Sequence, residues 1–208
     1  LYDKTNYQLG SKSAPLPIKF SQPFLGGSSF DNITQSIKIN QPDDGSTLGA
    51  ILFSEDDYRG TCSWILGEIP DLNQSRGEEN NPAVGNNNLS SIIVLNLASG
   101  SPAVTVYNRA DCQYIQQDPR SKKCDLSVTN KTGVFKEYCP DFEGDVLSFS
   151  LSENTGVLLK TEKGRCQFFQ RQNGPQECLS LIKYGYIYNP DHKKAIKPYS
   201  FTIFSLAK

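Results

Sequence analysis

The chain has 208 residues with 21 basic and 22 acidic side chains, so its net charge of −1 supplies no global field toward nucleic acid or an anionic membrane. No apolar run approaches the ~18 residues of a membrane-spanning helix; the densest is Ile92-Ile93-Val94-Leu95. Eleven Phe, ten Tyr and one Trp provide the large side chains of a core.

In chain order, Ser36–Asn40 places Ile37 and Ile39 on one face and polar residues on the other, the pattern of a half-buried strand. Apolar runs at 48–54, 91–97, 102–107, 157–161 and 165–170 read as strands buried on both faces. Asp145–Leu151 predicts Leu147, Phe149 and Leu151 inward with Ser148 and Ser150 outward, and Tyr199–Phe204 predicts Tyr199, Phe201 and Ile203 inward. Turn chemistry separates these runs at Asp43-Asp44-Gly45, Asn154-Thr155-Gly156, Asn173-Gly174-Pro175 and Asn189-Pro190-Asp191. Helical spacing is missing from every longer window, leaving a turn or two near 176–182. No internal repeat of fixed period is visible. The fold class expected is all-β, an antiparallel β-sandwich or Greek-key β-barrel. The organisation expected is a single domain over 1–208, with one long polar loop at 67–90.

Six cysteines (Cys62, Cys112, Cys124, Cys139, Cys166 and Cys178) include no CxxC pair, and the lone histidine rules out a Cys/His zinc knuckle. An even count in such a chain points to three disulfides and an oxidising compartment. Six cysteines allow 15 pairings; Cys62–Cys139, Cys112–Cys124 and Cys166–Cys178 is the set that closes two hairpin-sized loops. Sequons at Asn32, Asn73, Asn88 and Asn130 are glycosylation candidates. The chain starts at Leu1 and has no Met, which leads us to expect a removed signal peptide and a secreted, extracellular protein.

Catalytic chemistry finds little support. His192 is the one imidazole and lies in a turn beside lysines, and no Gly-x-Ser-x-Gly elbow is present. Carboxylates at Glu55-Asp56-Asp57, Glu68, Asp71, Glu78-Glu79, Asp141 and Glu143 would serve a glycosidase, but most lie in polar stretches where solvated charge is the ordinary role. Trp64, two residues after Cys62 in an apolar run, reads as core and not as a sugar platform. Neither Asp43–Thr47 nor Ser54–Asp57 fits a calcium loop of the EF-hand type. No phosphate-cradling Gly-rich loop occurs, so no cofactor and no metal are expected.

Binding candidates are the basic cluster Arg120, Lys122 and Lys123 between Cys112 and Cys124, and Lys193 and Lys194 near the C-terminus. Tyr184, Tyr186 and Tyr188 alternate, so in a strand they would share one face as a platform for a protein or a sugar. Solvated basic loops and cross-strand tyrosine packing are the plainer roles for the same residues.

Cys139-Pro140-Asp141-Phe142-Glu143-Gly144-Asp145-Val146-Leu147-Ser148-Phe149, followed by Gly156–Lys160, resembles strand pairs of small secreted effectors and necrosis-inducing toxins of filamentous ascomycete fungi. The Met-free composition, spread cysteines and Asn-rich loops share that resemblance, and no Leu-x-x-Arg or Lys-Arg processing site lies near the N-terminus. The missing catalytic constellation and the long polar loops on a disulfide-stapled scaffold lead us to expect a secreted non-catalytic, effector- or toxin-like β protein. It would bind an extracellular or host protein through residues 67–90, the loop between Cys112 and Cys124 and 184–197, without nucleic acid or a membrane span. The alternatives are a lectin or small glycosidase that takes a glycan, and a protease inhibitor offering Arg120, Lys122 or Lys123 to a trypsin-like enzyme.

Overall fold

The computed structural model describes residues 1–12, 14–28, 30–72, 84, 87–109, 111–127, 132–140, 142, 146–162, 164–171, 178–180 and 198–207. The chain forms two compact units, Leu1–Ala98 and Ser99–Lys208.

The second unit is an antiparallel β-sandwich. One sheet has the order β10-β7-β4-β5, from β4 (Val104–Tyr107), β5 (Lys123–Leu126), β7 (Ser148–Leu151) and β10 (Cys178–Ser180). The other has the order β6-β11-β8-β9, from β6 (Thr132–Val134), β8 (Thr155–Thr161), β9 (Cys166–Arg171) and β11 (Pro198–Ser205). In each run of four strands the third crosses to the opposite sheet, so two interlocked Greek keys make the sandwich. Val104, Val106, Phe149 and Leu151 from one sheet meet Val157, Leu159, Phe201 and Ile203 from the other. Phe149 meets the Phe169 ring edge-on at 4.8 Å.

The first unit repeats this plan with fewer regular strands. Its sheet is β2-β1-β3, from β1 (Thr47–Glu55), β2 (Arg59–Ile65) and β3 (Ser91–Leu97). The expected runs at 48–54 and 91–97 are thus strands, and Trp64 is buried on β2. The bridges Tyr2↔Ser36, Gln22↔Ile92 and Ile37↔Ile69 stand where the sandwich has full strand pairs. Around the sheet close Leu25, Phe30, Ile37, Leu72 and Leu89.

The two units share a device that the sequence hides. Tyr2 pairs with Ser36, Phe53 with Ser91, Tyr107 with Ser148 and Lys160 with Ser200. The first members recur at intervals of 51, 54 and 53 residues. After each of the first three the hairpin folds back over the sheet, with Tyr7, Tyr58 and Cys112, five residues on, at φ 57°, 59° and 54°. That left-handed conformation is costly for a bulky residue. The buried serine compensates: Ser91 Oγ accepts from Tyr58 N (3.1 Å) and donates to the Glu55 carbonyl (2.6 Å). Ser36 Oγ likewise accepts from Tyr7 N (3.1 Å) and donates to the Lys4 carbonyl (2.6 Å). Ser148 Oγ accepts from Cys112 N (2.9 Å) and donates to the Arg109 carbonyl. An internal repeat therefore exists, its period blurred by loops of unequal length.

Three other expectations need correction. Ser148 and Ser150 are buried and not outward, because β7 is a central strand and the folded hairpin caps its outer face at Ser148. Tyr199 is 50% exposed, because the β11–β8 register shifts between Pro198 and Ser200 and turns it out, while Phe201 and Ile203 face the core. Residues 178–180 are a strand against β7 and not a helical turn; among the described residues the helical turns are a 3-10 turn at Gly26–Ser28 and an α-turn at Phe135–Tyr138.

Replacing Ser91 with alanine leaves the Tyr58 N–H and the Glu55 carbonyl without their buried partner, and urea denaturation is expected to show a loss of about 2 kcal/mol. In the first hairpin the buried Asp3 carboxylate accepts from Gly10 N (2.8 Å), Ser11 N (2.6 Å), Lys12 N (3.1 Å) and Ser11 Oγ (3.0 Å). These bonds, that from Gly10 first, lower its pKa from 3.8 to about 2. Because the folded value is the lower one, this stabilisation is present above pH 3.8 and is lost as pH falls through about 2. Melting temperature against pH should drop across that window and flatten in Asp3→Asn.

Candidate functional site

Among the basic and aromatic segments singled out by sequence, only the loop between β4 and β5 lies within the described residues. Tyr184, Tyr186, Tyr188, Lys193 and Lys194 lie outside them, as do His192, Asn73 and Asn130 and most of the 67–90 loop. Asn32 is exposed in a turn and Asn88 is half-buried. Glu55, Asp56 and Asp57 are exposed at the tip of the second hairpin, and Glu68 faces Lys38 at 3.7 Å.

All six cysteines are oxidised, but the expected pairing is wrong. Cys112 bonds Cys178, with Cα atoms 5.7 Å apart, and Cys124 bonds Cys139, with Cα atoms 5.9 Å apart. Each of the three expected bridges is thereby excluded. Short loop closure favours near neighbours in sequence, whereas neighbouring strands decide which thiols meet. Cys178 sits on β10 beside β7, and Ser148 on β7 holds the backbone of Cys112.

The bridges fix both ends of the loop at residues 112–124. Its interior is tied by its own polar groups. Asp118-Pro119-Arg120-Ser121 is a β-turn, closed by Ser121 N to the Asp118 carbonyl at 2.9 Å; Asp at the first position and Pro at the second suit it. Asp118 is the hub: Oδ2 accepts from Arg109 at 2.6 Å, and Oδ1 from the Arg120 N–H at 3.0 Å and its Nε at 3.3 Å. The Arg120 N–H first, then its guanidinium, hold the Asp118 carboxyl below the usual carboxylate range. Buried Ser121 accepts from Ile115 N at 2.9 Å. From below, Asn108 donates to the Arg120 carbonyl (2.6 Å) and accepts from Lys122 N (2.8 Å).

With its polar backbone satisfied inward, the loop presents Tyr114, Ile115, Arg120, Lys122 and Lys123 to solvent. The Arg120 side chain is 91% exposed, and Lys123 Nζ lies 5.4 Å from the Tyr114 ring centroid. Sequence reasoning found the basic members and missed Tyr114 and Ile115, which an aromatic–aliphatic pair two residues after a cysteine would have signalled. The turn also bears on protease inhibition. An inhibitory segment lies extended in the protease cleft, and here Arg120 is the third residue of a closed turn.

Such a loop resists proteolysis because cleavage needs local opening. Trypsin is expected to cut slowly after Arg120, Lys122 and Lys123 in the native protein, and about tenfold faster in Asp118→Ala, as read by the rate of nicked product on non-reducing gels followed by reduction.

Searches against family models and against the curated proteins find no match. The solution structure of protein S complexed with calcium is similar at 16% identity over 96% of this chain and 95% of that chain, with a TM-score of 0.29. A likeness so slight carries no argument about fold or ligand.

Proposed function

We propose that the protein is a secreted, non-catalytic binding module, of the effector or toxin kind, that docks an extracellular or host protein through the loop at residues 112–124. The observation that carries this reading is preorganisation. Two disulfides and the Asp118, Ser121 and Asn108 hydrogen bonds order the loop before any partner arrives. Much of the conformational entropy of binding is then absorbed by folding. The exposed set joins an aromatic and an aliphatic residue to a flanking arginine, the composition that concentrates binding energy at protein interfaces. Oxidised cysteines agree with an extracellular site of action, and among the described residues no helix is long and apolar enough to cross a membrane. Asn32, exposed at a sequon, is the proposed glycosylation site.

Capture on immobilised protein from the extracellular fluid of the target tissue, followed by titration with the purified partner, tests this reading. Tyr114→Ala with Lys122→Glu, which leaves the Asp118 contacts in place, should weaken binding about tenfold or more at an unchanged melting temperature. A partner bound equally by both proteins would sink it.

A further inference from the structure

The first unit carries a recessed surface of its own, remote in sequence from the loop and independent of it. Pro15-Leu16-Pro17-Ile18-Lys19 runs extended, since each proline fixes its own φ and biases the residue before it away from helix. Leu16 N bonds the Leu1 carbonyl (3.1 Å) and Gln22 bridges Ile92, so both ends of the segment are held. Alternation turns Leu16 and Ile18 inward while Pro15, Pro17 and Lys19 stay exposed. Facing them are Ile39 and Val94, neither fully buried, over the sheet. Between these walls lies a groove of about 330 Å³, near the lower end of the range for small-molecule sites.

Its chemistry is one-sided. The walls are chiefly aliphatic, with Tyr2 and Asn40 also at the groove; the charged side chains bordering it are Lys19 and Lys38, and among the described residues no acidic side chain lines it. Lys38 also reaches Glu68, but at 3.7 Å with both side chains nearly half exposed, a contact of small worth that a closer anion would displace. Lys19 makes no ion pair among the described residues. An aliphatic trough with cations at its border and no anion matches a single alkyl chain that ends in a negative group. Each methylene moved from water into the groove strengthens binding about fourfold.

We propose that this groove binds a single-chain anionic amphiphile of the fatty-acid type, its chain along Leu16, Ile18, Ile39 and Val94 and its head group at Lys19 and Lys38. Calorimetric titration with dodecanoate, below its micelle concentration and at pH 8, should give one-to-one binding in the micromolar range. Dodecyltrimethylammonium, with the same chain and the opposite charge, should bind about tenfold more weakly or worse. The double variant Lys19→Glu with Lys38→Glu should lose affinity for dodecanoate about tenfold without a fall in melting temperature. Ile18→Asp should abolish binding; if that variant fails to fold, the lysine pair and the cationic ligand decide the matter alone. No binding of dodecanoate, or equal binding of both ligands by both proteins, would overturn the assignment. Co-sedimentation with phosphatidylserine vesicles without binding of the monomer would equally overturn it, by giving the lysines to a membrane surface.

Discussion

The structure depends on a serine hydroxyl placed under each folded hairpin. A β-hairpin left to itself extends away from its sheet, and folding it back exposes backbone groups that the ladder no longer pairs. In three hairpins one buried Oγ accepts an N–H and donates to a carbonyl three residues before it, closing that gap in the most compact way available. The same bonds hold Tyr7, Tyr58 and Cys112 in left-handed backbone, which their side chains would otherwise leave. At the fourth position, opposite Ser200, the hairpin from Lys160 to Cys166 is three residues shorter than that from Phe53 to Cys62, and Gly164 turns it instead at φ 80°.

Once the hairpins are folded, the side chains above them divide the labour differently in each repeat. Tyr2 meets Tyr7 at 5.7 Å and Phe53 meets Tyr58 at 5.9 Å, so aromatic contact clamps the first two. In the third, the position of Tyr7 and Tyr58 is taken by Cys112, and a covalent bond to Cys178 replaces the ring. The hairpin that carries the exposed Tyr114, Ile115 and Arg120 is thus the one whose clamp is a disulfide.

The runs at 48–54, 91–97 and 157–161 are strands buried on both faces, as their continuous Val, Ile and Leu content predicts. Those at 102–107 and 165–170 also form strands but keep half-buried positions, because polar residues such as Thr105, Gln167 and Gln170 interrupt them. Alternating segments were read less well. Ser148 looks like a solvent-facing residue in a period-two pattern, and only the hairpin folded over it, set by contacts 41 residues apart, makes it a core residue. Tyr199 fails for a similar reason, since a single register shift inverts a face. The disulfides were misread because proximity in sequence was used where adjacency of strands decides. Of the loop, the charges were visible and the organising carboxylate was not; Asp118 looks like any turn residue until Arg109 and Arg120 are seen to share it.

The replacement of a ring by a cysteine at position 112 also alters what selection can do with the third hairpin. An aromatic clamp ties the identity of its neighbours to the stability of the fold, so those neighbours cannot drift far. A covalent tie asks nothing of the side chains around it. Asp118 and Ser121 still fold the loop and Asn108 still holds its backbone, but the exposed side chains at 114, 115, 122 and 123 can change their chemistry while the sandwich beneath stays the same.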